Sequence, residues 1–147
     1  MIGHITYFGN RYLGPNVIRL NAVRQLMDQD PYVLDAASRK IVLEAIQEVC
    51  RRRSWRLIAA HVRTNHVHAV VEADRRPEAV MHDFKAYASR LLNACRKEPP
   101  ETKRWTRHGS TRYLWKDEEV AKAVAYVLEQ QGEPMAVFPL LEPRSAP

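Results

Sequence analysis

Cysteine is scarce in this 147-residue chain: only Cys50 and Cys95 occur. Both fall inside expected helices, so they read as free, mostly buried thiols in a reducing cytoplasm rather than as a disulfide framework. No apolar run approaches the roughly 18 residues that a membrane span needs. The amino-terminal MIGHITYFGNRY lacks the charged start and apolar stretch of a signal peptide. No internal repeat or low-complexity block stands out. What remains is a soluble, cytoplasmic chain long enough for one domain with a real core, and its 46% hydrophobic and 27% charged residues fit that class.

What is present in excess is positive charge: 23 Lys and Arg against 17 Asp and Glu. The cations are clustered, with Arg51, Arg52, Arg53 and Arg56 in one patch and Arg75 and Arg76 in another. Lys103, Arg104 and Arg107 follow, interleaved with Trp105. Cations beside aromatics suit nucleic acid, where phosphates pair with the charge and bases stack on the rings. A solvated basic surface has the same composition.

Along the chain, residues 2–8 have the β-branched and aromatic content of a strand. Residues 9–34 read mainly as loop, with room for a short helix near Ala22–Met27. Asp35 is placed as an N-cap, and Ile41, Val42, Ala45, Ile46 and Val49 repeat at helical spacing over 36–53. WRLIAAHV (55–62) and HVHAVVEA (66–73) are two strands joined by the turn Arg63-Thr64-Asn65, a hairpin. Pro77 suits the first turn of a helix running to about residue 96, with Val80, Phe84, Ala88, Leu91 and Cys95 as its buried stripe. A loop precedes a short strand from Thr111. Asp117 is then expected to cap a last helix over 118–131, closed by Gly132 and Pro134. The domain is expected over 1–132 and an irregular, proline-rich tail over 133–147. This order is a split βαβ pattern with an added C-terminal helix: an α+β, ferredoxin-like plan with a small antiparallel sheet covered by helices. Such a plan decides no function.

Chemistry concentrates on the second hairpin strand. There His66, His68, Val70 and Glu72 face one way, while Val67, Ala69, Val71 and Ala73 form a uniformly apolar core side. The imidazoles project side by side about 7 Å apart, close enough to converge on one divalent cation. Two polar residues on the wet side of a sheet would look the same, and a metal would need a third ligand from elsewhere. On the last helix the apolar stripe is Val120, Ala121, Val124, Val127 and Leu128. Tyr126 and Gln130, four residues apart, lie beside each other off that stripe. A tyrosine packed on a neighbouring helix or subunit would fit the pattern equally well.

TNHVHAVV resembles the metal-binding strand of the HUH endonucleases. Together with FKAYASRLLN, RHGSTRYLW and AYVLEQQG it resembles the single-tyrosine transposases of the IS200 type and their REP-associated relatives, over about Pro31 to Gly132. The resemblance implies that His66 and His68 bind a divalent metal, Mg²⁺ or Mn²⁺, with Gln130 completing the shell and Tyr126 as nucleophile. It also implies cleavage and transfer of single-stranded DNA through a 5′-phosphotyrosine, recognition of hairpin-containing element ends, and a homodimer exchanging its tyrosine helices.

Other residues enter as expectations. Lys85, Ser89, Asn93 and Arg96 form a helix face suited to gripping backbone phosphate, with Arg90, Arg52, Arg53, Arg104 and Arg107 as further DNA-binding cations. Tyr87 is a rival nucleophile. His61 and His108 are expected to be structural, Trp105 to stack bases and Trp115 to lie in the core. Two other readings remain at this level: a domesticated, non-cleaving nucleic-acid-binding protein of the same fold, and an RNA-binding module, which would want exposed aromatics on its central strands.

Overall fold

The computed structural model describes residues 4–9, 32–106 and 109–139, and of residues 4–9 the backbone alone. The expected helix near Ala22–Met27, together with Arg107 and His108, lies outside the described residues. The elements in chain order are β1 (His4–Gly9), α1 (Ala36–Arg53), β2 (Arg56–Val62), β3 (His66–Glu72), α2 (Pro77–Arg96), β4 (Thr111–Tyr113), α3 (Asp117–Glu129) and β5 (Ala136–Phe138).

Local chemistry accounts for most boundaries. The Asp35 carboxylate accepts the Ser38 N–H at 2.8 Å and starts α1. Arg51, Arg52 and Arg53 end it, their charges favourable against the C-terminal carbonyls, and Ser54 turns out in the left-handed conformation. Pro77 stands at the start of α2. The beginning of α3 is shifted by one residue from expectation. Asp117 is already helical and Lys116 precedes it without a side-chain cap, while Glu119 accepts the Trp115 N–H at 2.9 Å. The Asp117, Glu118 and Glu119 charges favour the helix start through its dipole instead.

The sheet has the order β4-β1-β3-β2-β5, antiparallel throughout. Its first four strands are the split βαβ arrangement; the fifth corrects the expectation of an irregular tail from residue 133. Ala136–Phe138 pairs with Val62–Ala60 along the open edge of β2, so this segment's backbone groups gain partners that a solvated tail would lack.

Helices cover both faces. On one, α1 and α2 pack Val42, Ile46, Val49, Phe84, Ala88 and Leu92 against Ala60, Val62, Val67, Ala69 and Val71. On the other, α3 packs Ala123, Val127 and Leu128 against Ala59, Val70, Leu114 and Val137. Cys50 is buried, and burial pushes its thiol up to about 12. Cys95 corrects the expectation of a buried stripe reaching that far: residues 94–97 are all exposed, because the last turn of α2 runs past the body it packs on.

A bulge in β2 decides which residues share the α3 face. Between Leu57 and Ala59 the pairing with β3 shifts, so Leu57 joins the α1–α2 core while Ile58 and Ala59 turn to the α3 side. Without the extra residue, Leu57 and His61 would share a face. With it, His61 pairs directly with His68 beneath α3.

Candidate active site

His66, His68 and Val70 project to the α3 face, as strand alternation requires, and α3 closes over the inner end of that row. His68 is 8% exposed, His66 half-buried, and Val70 fully covered. The two imidazoles stand 5.0 Å apart, centroid to centroid, nearly perpendicular. Asn65, in the hairpin turn, lies 2.7 Å from His66 Nδ1 through its side-chain oxygen. A hydrogen bond there assigns the proton to Nδ1 and orients the ring, as outer-shell partners do for histidine ligands.

The tyrosine comes from α3. With Val127 and Leu128 buried, Tyr126 sits at the edge of the apolar stripe, 44% exposed. Its ring meets that of His68 edge-on at 5.6 Å. A side chain that helical periodicity placed off the core thus meets the histidine row.

The amide that joins them is Gln131, not Gln130. Helix α3 ends at Glu129, and Gln130 has already left helical geometry at φ −112°, ψ 17°. The expectation of four-residue spacing from Tyr126 assumed that the helix continued to 131. Because it stops, Gln131 comes near the histidine row, where its side chain partly offsets the burial that lowers His66 and His68. It also donates from Nε2 to the Tyr126 carbonyl at 3.3 Å. Gln130 is exposed and lines a groove on the outer side of Tyr126.

His61 holds this turn in place. Fully buried, its Nδ1–H donates to the Val127 carbonyl at 3.1 Å and its Nε2 accepts the Met135 N–H at 3.0 Å. Since the backbone N–H can only donate, Nε2 is unprotonated and the ring neutral. Arg63 donates to the Glu133 carbonyl at 3.0 Å, and Gly132 turns beside it at φ 79°. The segment carrying Gln131 is therefore tied to the end of β2 on both sides.

Burial depresses all three histidines. His68 falls to about 4, first from desolvation, then from the nearby His66 and His61 charges. His66 and His61 are lowered chiefly by burial too, with the Arg63 cation adding to it. At neutral pH the pair is therefore uncharged, with ring nitrogen lone pairs available to a cation.

Among the described residues no group of three His, Cys, Asp or Glu side chains could hold a metal. Two neutral imidazoles and the amide oxygen of Gln131 are the donors that could hold one. Such an N,N,O set fits a borderline divalent ion, Mn²⁺ more readily than Mg²⁺, and adds no negative charge.

A model of the family described as "Transposase IS200 like" matches residues 29–130. The chain belongs to the IS200-like transposase family. A solved REP-associated tyrosine transposase, bound to a REP hairpin, aligns with a TM-score of 0.53 at 16% identity, covering 87% of this chain. This chain spans 66% of that structure's length, and the likeness at this identity is one of fold. No curated protein matches the sequence.

In this IS200-like transposase chain most cations expected to grip DNA are engaged within the fold. Arg104, 3% exposed, bonds Glu98 at 2.7 Å and Asn93 at 2.6 Å and lies over the Tyr32 ring. Lys85 donates to the Thr106 carbonyl, Ser89 accepts from Trp105 Nε1, and Arg96 pairs with Asp35 at 2.7 Å. The polar stripe of α2 is thus the seat of the 98–106 loop. A buried guanidinium engaged through Nε and Nη2, as in Arg104, has no face to offer a phosphate. Arg52 and Arg53 pair with Glu48 and Asp83, and Arg90 lies over Tyr87 at 4.9 Å. Tyr87 sits in a groove with Glu48, Arg52 and Leu91, across the sheet from the histidines. Trp115 corrects a core assignment: it is 58% exposed and stacked on Tyr113 at 5.0 Å.

Proposed function

We propose that the chain cleaves and rejoins single-stranded DNA with Tyr126 as nucleophile, the transposition chemistry of its family. The observation that carries this reading is the meeting of Tyr126 from α3 with the histidine pair of β3, 5.6 Å from ring to ring at His68, with the Gln131 side chain beside both imidazoles. Nothing about packing calls for two neutral histidines and an amide beneath a half-exposed tyrosine.

The Tyr126 oxygen attacks phosphorus, forming a P–O bond to the phenol oxygen as the bond to the 3′ oxygen breaks. The phenol proton is lost and the departing 3′ oxygen takes one up, so a 3′-hydroxyl and a 5′-phosphotyrosine result. Attack by a 3′-hydroxyl on that ester reverses the step and rejoins a strand. A divalent metal held by His66, His68 and Gln131 would supply electrophilic polarisation of the scissile phosphate. Low basicity keeps His66 and His68 in the ligating, unprotonated form, while the packing of Val127 and Leu128 fixes the helix that presents the phenol.

The substrate inferred for the chain is a strand beside a hairpin, in keeping with the hairpin bound by the similar structure. Incubation of labelled single-stranded DNA bearing the element end with the protein and Mn²⁺ should give a covalent adduct. Tyr126→Phe should abolish it, and Tyr87→Phe should leave it. An adduct that survives Tyr126→Phe overturns the assignment.

A further inference from the structure

Lys122 and Tyr126 lie four residues apart along the outer edge of α3, and Gln130 stands just past its end. Opposite them stands Arg112 of β4. Arg112 pairs with Ile5, and Ile5 with Val70, so Arg112 belongs to the α3 face of the sheet. With Ala123 and Ala125 these four side chains line an open groove of about 520 Å³ running past the phenol.

The groove's two cations differ from the basic residues of α2. Lys85, Arg96 and Arg104 are spent on the 98–106 loop and on Asp35. Among the described residues the side chains of Arg112 and Lys122 make no ion pair or hydrogen bond, and both residues are exposed. The walls between them are alanines, which leave the floor low and open. A half-exposed tyrosine thus shares a groove with two positive charges that are uncommitted among the described residues, while His68 meets its ring.

We propose that this groove seats the substrate strand, with Arg112 and Lys122 binding the phosphates that flank the one Tyr126 attacks. Gln130, which the family resemblance had implied for the metal, contacts the strand from the same groove. The proposal rests on the phosphodiester chemistry inferred above and names where the strand lies. Arg112 can chelate two oxygens of one phosphate, and Lys122 acts as a point charge.

The test uses the full chain carrying Tyr126→Phe, so that binding is read without cleavage. The probe is a fluorescein-labelled hairpin DNA with a single-stranded extension. Arg112→Gln and Lys122→Gln should each weaken binding about three- to tenfold at 0.1 M salt. Each should also lower the slope of log affinity against log salt by about 0.7, the value for one single-strand phosphate contact. Lys40→Gln removes the same charge from α1, across the sheet, and should change neither. Neutral methylphosphonates placed one linkage at a time along the extension should weaken binding at one or two positions, and that penalty should vanish in the Arg112→Gln, Lys122→Gln double variant. A penalty that persists there, or a Lys40→Gln effect as large as the others, overturns the groove. If the unaltered chain cleaves DNA while the variants match it at every linkage, the groove alone falls. If the unaltered chain neither binds nor cleaves, the catalytic reading falls and the groove with it.

Discussion

His61 on β2 is bonded through Nδ1 to the carbonyl of Val127 on α3, 66 residues further along the chain, at 3.1 Å. The neighbour of Val127 is Tyr126, and one turn later comes Gln131. A fully enclosed histidine that touches no solvent therefore sets the position of the helix turn carrying both candidate groups.

His61→Phe keeps the ring volume and removes both hydrogen bonds, leaving the buried Val127 carbonyl and the part-buried Met135 N–H without their partner. The buried carbonyl costs about 1–3 kcal/mol and the part-buried N–H less, so a loss of about 2–4 kcal/mol is expected in urea unfolding. A change below about 0.5 kcal/mol would mean that the turn is held by packing alone.

The same bond argues about subunits. With α3 pinned to its own β2, Tyr126 meets the His68 of its own chain. A mixture of Tyr126→Phe and His66→Ala proteins should stay inactive in the adduct assay. Recovered cleavage in the mixture would show that the tyrosine helices are exchanged between two chains, as the family resemblance suggested.

Gln131 and Gln130 can be separated by metal binding in the absence of DNA. Gln131→Ala should weaken Mn²⁺ binding about tenfold, measured by electron paramagnetic resonance of the free ion. Gln130→Ala should leave it within about twofold, since that side chain faces the groove.

Stability should depend on pH in one direction. His68 has a folded pKa of about 4 against an ordinary 6.5, and His66 and His61 are lowered as well. The unfolded chain thus binds more protons than the folded one below about pH 6.5. The metal-free protein should hold full stability from these groups above that pH and lose it progressively as the pH falls towards 4. Thermal melts across pH 4–8 check this; a flat midpoint would mean that the histidines are hydrated in the folded state.

Arg104→Ala would leave Glu98 and Asn93 without their buried partner. Breaking such a pair costs about 3–5 kcal/mol. The salt dependence of DNA binding should be unchanged, because the guanidinium faces inward. A reduced slope would place Arg104 on the DNA instead.

Periodicity carried most of the scaffold. The 36–53 and 77–96 helices and the hairpin at 63–65 follow from spacing, caps and turn chemistry, which act over a few residues. The tail strand did not show, because Ala136–Phe138 is short and becomes a strand only through the free edge of β2. The α2 polar stripe misled for a similar reason: a polar helix face looks alike whether it meets water, phosphate or the chain's own loop.

The sequence by itself determined the split βαβ order, the paired histidines on one strand face, and a tyrosine held off the core of the last helix. Alternation and helical periodicity are properties of the local backbone, so they can be read locally. Tertiary structure decided which amide meets the histidines. It did so by ending α3 at Glu129 and, through the β2 bulge, turning His61 under the helix to hold the next turn. Both events depend on strands brought together from distant parts of the chain, and no spacing rule along the sequence contains them.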